Sequence, residues 1–147
     1  IDHLRHRPNE LGADVRLRLD AGAMTTAVDY IRAQRARTAF NGRMAAAMEN
    51  VDLLMEPSTP FAATRLGQAT IQLDGAERVV RGLLTRFTRP FNITGMPAVS
   101  LPCGLTSDGL PIGLQLKGRA WQGGTVLQMA HAYEQATEWH LRRPPVA

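Results

Sequence analysis

Two short apolar runs, Ala98 to Leu105 and Leu110 to Leu116, are separated only by Thr106, Ser107, Asp108 and Gly109. Asp and Gly tolerate the positive φ that tight turns demand, so this spacing predicts a hairpin of two antiparallel strands. The hairpin constrains the rest of the chain, because its apolar side chains need cover from elements on either side. In the second run Ile112, Leu114 and Leu116 alternate with Gly113, Gln115 and Lys117. A glycine opposite the apolar set leaves room for cover on both faces, as in layered α/β proteins.

The flanking sequence supplies that cover. Ile1 to Arg7 reads as the tail of an element, ended by Pro8-Asn9 because proline restricts its predecessor and cannot continue a helix. From Glu10 to Leu19, Leu11, Val15 and Leu19 recur at helical spacing, and Gly22 ends the pattern. Thr25 or Thr26 is an N-cap for a long helix reaching Asn50, with Asp29 in its first turn, where negative charge complements the helix dipole. Its apolar stripe, with Val28, Ile31, Met44 and Met48, is interrupted by arginines whose stems lie over apolar surface. Met24, Met44, Met48 and Met55 read as fillers of core gaps.

Val51 to Met55 predicts a buried strand that feeds the loop Pro57-Ser58-Thr59-Pro60-Phe61. Thr70 to Leu73 with Asp74-Gly75 is a small excursion, and Glu77 to Phe87 predicts a helix weakened by Gly82. After the hairpin, Trp121 to Gly124 turns the chain. Thr125 caps a final helix carrying Val126, Leu127, Ala130 and Tyr133, closed by Arg142-Arg143-Pro144-Pro145. Helices, strand, helix, hairpin, helix is the order of an α/β fold, part of a mixed β-sheet flanked by helices. So few strands leave edges exposed, which calls for a partner in sequence or in trans.

Composition excludes several classes of function. The net charge is +4, nearly all of the positive charge is arginine, with Lys117 the only lysine, and the basic residues are scattered among acidic ones. Nucleic-acid binding wants a concentrated basic stripe, so none is expected. No apolar run approaches the ~20 residues that cross a bilayer, so no membrane span is expected. Cys103 is a lone cysteine, in keeping with a reducing compartment and a cytoplasmic location. His3 and His6 could share a helical face, but no carboxylate or cysteine joins them at ligand spacing, so neither a metal nor a cofactor is expected. Cys103 reads as a small apolar residue at a strand end rather than a nucleophile served by His131 or His140.

Asn92-x-x-Gly95-x-Pro97-Ala98-x-Ser100-x-Pro102-x-Gly104, followed by Gly109-Leu110-Pro111-Ile112-Gly113-Leu114-Gln115-Leu116, resembles the C-terminal region of amidase signature enzymes, amide hydrolases with a serine nucleophile. The resemblance extends upstream to Asp29-Tyr30-x-x-Ala33-x-x-x-Arg37 and Asp52-Leu53-Leu54-x-x-Pro57-x-Thr59-Pro60. It covers nearly the whole chain but only about the last third of a family member, and the start at Ile1 fits a cut from a longer protein. It therefore implies residues 1–147 as a single partial domain, the C-terminal portion of an amidase signature fold whose catalytic N-terminal part is absent.

The chemistry implied is acyl transfer at an amide. In this family one serine attacks the carbonyl, a second serine in a cis peptide relays its proton, and a lysine is the base. A lysine serves so only when burial depresses its pKa, and the oxyanion needs preorganised backbone donors of the kind a Gly-rich serine loop provides. Ser58, Ser100 and Ser107 lie in no such loop, and Lys117 falls late in an edge-like hairpin, so no catalytic residue is assigned. The resemblance makes Thr59 and Phe61 contacts to substrate, and Asn92, Thr94 and Met96 lining of the acyl or leaving-group pocket. The residue-level alternative is a Pro-bounded turn at the first place and an αL turn held by Asn92 and Gly95 at the second. Arg18 corresponds to a position that holds a substrate carboxylate in glutamine-using relatives, whereas Thr85 stands where those relatives place an acidic residue.

The expected function is thus that of a C-terminal fragment of an amide hydrolase, inactive alone, with a small amide as substrate of the full-length protein. Its partner is the missing N-terminal part or a separate chain, and a homo-oligomer is compatible. The alternative is a non-catalytic remnant that binds a ligand or pairs through an exposed sheet edge.

Overall fold

The computed structural model describes residues 2–143, so Pro144-Pro145 lie outside the described residues. Two compact units result, Ile1–Phe40 and Asn41–Ala147, with the division falling inside a helix.

In the first unit, α1 (Asp2–His6) is followed by a 3-10 turn at Pro8–Glu10 and by α2 (Ala13–Ala23). The helix predicted from Glu10 therefore starts three residues later, because Pro8 begins the 3-10 turn and Gly22 lies inside α2 rather than ending it. His3 is engaged by a carboxylate: its Nε2 lies 3.0 Å from Glu10 Oε2. Helix α3 (Ala27–Ala47) begins at the predicted cap. Thr26 Oγ1 accepts from the Asp29 N–H at 3.1 Å and donates to Asp29 Oδ2 at 2.7 Å, so cap and carboxylate hold each other. No residue of α2 or α3 is buried, including the stripe through Val28 and Ile31. No helix among the described residues is long and apolar enough to cross a membrane.

The second unit is built on a three-stranded antiparallel sheet in the order β1-β5-β4. Here β1 is Leu53–Pro57, β4 is Ala98–Leu105 and β5 is Pro111–Gly118. The expected hairpin joins β4 to β5, and Gly109 adopts φ 79° in its turn. Leu53 pairs with Gly118 and Pro57 with Leu114, so β5 is the central strand. The reading of Lys117 as part of an edge is corrected by this pairing. Helix α6 (Gly123–Ala136) packs Val126 and Ala130 against Leu101 and Leu116, and Leu53, Val99, Leu114 and Tyr133 border that core. The helix begins two residues before Thr125 and has no side-chain cap. Gly118 lets it approach: a Cβ there would lie 2.5 Å from Val126 Cγ2.

Between β1 and β4 the expectation of a helix over Glu77–Phe87 fails. Residues Ala76–Val79 form β3, paired antiparallel with β2 (Thr70–Leu73), and only α4 (Val80–Leu83) is helical in that span. Asp74 and Gly75 both take positive φ, 53° and 72°, the primed turn that suits a two-residue hairpin. The Thr70 hydroxyl donates to Glu77 across the ladder at 2.8 Å. A further helix not foreseen, α5 (Arg89–Thr94), starts with Pro90 in its first turn and stops at Gly95, which adopts φ 75°.

Candidate functional site

The face of the sheet opposite α6 carries polar groups. Strand alternation places Gly113, Gln115 and Lys117 there on β5, with Ser100 beside Gln115 on β4 and Glu56 beside it on β1. Just past β1 the Ser58 N–H donates to Gly113 O at 2.8 Å, which brings Ser58 over the glycine. Ser58 Oγ and Ser100 Oγ form a close hydrogen bond, and Ser100 Oγ lies 3.4 Å from Leu114 O. Gly113 makes room for this pair: a Cβ would come within 2.7 Å of Ser58 Oγ. Gln115 is buried, and among the described residues its Oε1 has no donor.

Lys117 is 1% exposed. Its Nζ donates to Phe87 O at 2.7 Å, forms an ion pair with Glu56, and stands 4.5 Å from the centroid of the Phe91 ring. Desolvation pushes the ammonium's pKa below its ordinary value of 10.5. Because the folded state releases this proton at lower pH than the unfolded state, folding stability rises with pH from the lowered folded value up to 10.5. The gain in stability of the wild type over Lys117→Met therefore increases across this window, as read by urea unfolding at several pH values. A constant difference would contradict a depressed lysine.

The predicted contact residues fall in the loop after β1, in α5 and the turn that ends it, and on one separate helix. Thr59 donates its hydroxyl to Phe61 O at 2.8 Å, closing the loop after β1, with both residues half-buried. Thr94 donates to Phe91 O at 3.2 Å and accepts from the Met96 N–H at 3.4 Å. Asn92 is exposed and lies within α5, so the αL turn there belongs to Gly95 alone. Glu56 precedes the first turn and Phe91 the second, so Lys117 links them. Arg18 lies exposed on α2 in the other unit. Thr85 accepts from Arg89 Nη2 at 2.7 Å. Cys103 is the bulged residue between Pro102 and Gly104 and is half-buried, a mid-strand position rather than a strand end.

Sequence reasoning missed the serine pair and the environment of Lys117. Ser58 and Ser100 are far apart in sequence, and only the register of β5 between β1 and β4 makes them neighbours. The visible signal was Gly113, a glycine facing away from the apolar set.

A family model described as Amidase matches residues 3–127. The chain is 40% identical over 145 residues to a glutamyl-tRNA(Gln) amidotransferase subunit from Synechococcus sp. (strain JA-2-3B'a(2-13)), covering 95% of this chain and 27% of that protein. It is 39% identical over 142 residues to an amidase from Pseudomonas putida, covering 96% and 30%. A crystal structure of an amidase superposes with a TM-score of 0.84 at 31% identity, over 90% of this chain and 30% of the other. An inhibitor-bound vestigial protein complex related to an s-triazine catabolic enzyme superposes with a TM-score of 0.86 at 28% identity, over 97% and 31%. The chain thus spans roughly three-tenths of the length of these relatives, 27% to 31%.

Proposed function

The chain belongs to the amidase signature family, and from this we propose that it is the C-terminal part of an amide hydrolase, a partial domain that walls a substrate pocket completed by residues outside it. In the full-length protein a serine attacks the amide carbonyl carbon, and its proton passes through a second serine to a lysine. The C–N bond then breaks as the leaving amine takes up that proton, and water cleaves the acyl ester. The observation that carries this reading is the coverage: nearly all of this chain matches about three-tenths of each relative.

The site's geometry supports it. Ser58, Ser100 and Lys117 share a sheet face, yet the lysine's ammonium is engaged by Phe87 O, Glu56 and the Phe91 ring, while Ser100 Oγ is engaged by Ser58 Oγ and Leu114 O. A base must lie within hydrogen-bond reach of the proton it takes. Thr59, Phe61, Asn92, Thr94 and Met96 are then pocket walls. Thr85 presents a hydroxyl already bonded to a guanidinium, a poor partner for a substrate ammonium, which favours a simple amide over glutamine. Arg18 remains the candidate for a substrate carboxylate. The sheet edges also favour a pocket wall over an edge-pairing module, because Pro102 and a bulge interrupt β4 and Pro57 ends β1.

The test is hydrolysis of a panel of primary amides and esters by the 147-residue chain. No turnover above the buffer rate is expected. Turnover abolished by Ser58→Ala or Ser100→Ala would overturn the reading.

A further inference from the structure

We infer that Lys117 is a positioning residue that holds the loop after β1 and the α5–Gly95 turn at a fixed separation, and so sets the shape of the pocket between them. The inference rests on the proposed reading of those two turns as pocket walls. An ammonium has three protons, and here each has an acceptor on a different part of the unit. One faces Glu56 of β1, one meets Phe87 O just before α5, and one faces the ring of Phe91 inside α5. The stem rises from the central strand, which is itself fixed by ladders on both sides. Ser58 follows Glu56 by two residues, and Asn92 follows Phe91 directly, so each tether ends at the base of one candidate wall.

The geometry asks for lysine in particular. A methionine would retain the unbranched stem and most of its packing but no donor. An arginine would bring a planar fork, longer by an atom, to a site built around a point charge between a carboxylate, a carbonyl and a ring face. Methionine thus removes the tethers while sparing the core, and the two roles can be separated.

The experiment uses the natural gene product that carries this chain and compares wild type, Lys117→Met and Glu56→Gln by amide hydrogen exchange and by amide-hydrolysis kinetics. In Lys117→Met the Asn92 and Gly95 amides, which donate to Thr88 O and Phe91 O, should exchange about tenfold faster, the size expected for losing charge-assisted hydrogen bonds. The β4–β5 ladder amides should stay unchanged, and Glu56→Gln should give a smaller effect in the same direction. KM should rise about tenfold with kcat nearly kept, as for a misplaced pocket wall. Unchanged exchange at Asn92 and Gly95, or equal acceleration across the ladders, overturns the inference. Altered exchange with KM unchanged in an active enzyme also overturns it. Faster exchange at Asn92 and Gly95 in Lys117→Met, where the wild type itself hydrolyses no amide, upholds the tether and refutes the pocket reading instead.

Discussion

Replacing Gly118 by valine should destabilise the 41–147 unit by about 3 kcal/mol, at the upper end of what overpacking a tight core costs. The glycine sits in the central strand beneath α6, and an added Cβ meets Val126 Cγ2 at 2.5 Å, Gln122 O at 3.4 Å and Pro97 Cγ at 3.5 Å. Val126 is almost fully buried and Gln122 O belongs to the backbone that starts the helix, so neither can yield without moving α6. The collision has a specific rescuer. In the background of Val126→Ala, Gly118→Val should cost at least about 1 kcal/mol less than in the wild type, a coupling of the size seen between touching residues. Urea midpoints of the two single variants and the double variant measure it, and strict additivity would mean that Gly118 is not where strand and helix close.

Truncating Leu116 to alanine should cost about 3 kcal/mol or more, the range for deleting a buried leucine whose surroundings cannot collapse. Leu116 is 1% exposed, lies opposite Val99 on β4 and Met55 on β1, and packs under α6 with Leu101, Val126 and Ala130. Leu105, near the far end of the same hairpin, is exposed, and Leu105→Ala should cost under about 1 kcal/mol. Equal losses at the two positions would contradict a core seated between α6 and the sheet.

What could be read from sequence divides along the range of the interactions. The β4–β5 hairpin was legible because Thr106 to Gly109 dictate it locally, and the cap at Thr26 was legible because its partner Asp29 is three residues away. The helix expected over Glu77–Phe87 failed where two local signals competed: Val79, Val80, Leu83 and Leu84 have helical spacing, but the Asp74-Gly75 turn delivers Ala76–Val79 to β2 first. Helix α5 was overlooked because six residues with one turn-starting proline give no periodicity to detect.

The site was less legible than the fold. The two candidate walls, around Thr59 and around Thr94, came from resemblance, and each proves to be a turn closed by its own threonine hydroxyl. The groups that organise the space between them come from distant parts of the chain. Ser58 meets Ser100, and Lys117 meets Glu56 and Phe91, only because β1 joins β5 on the side away from β4. Nothing in the local sequence of β1 states which strand it will choose. Lys117 was misplaced for that reason: an alternating pattern shows which face a side chain takes, and not whether its strand is central.

The most direct test of the account is the intact mass of the natural gene product, read with the open reading frame that contains Ile1. The account predicts a mass well above the 16.1 kDa of these 147 residues, with a Gly-rich serine loop and a lysine encoded upstream in the same frame. A natural product of 16.1 kDa that begins at Ile1 would contradict it.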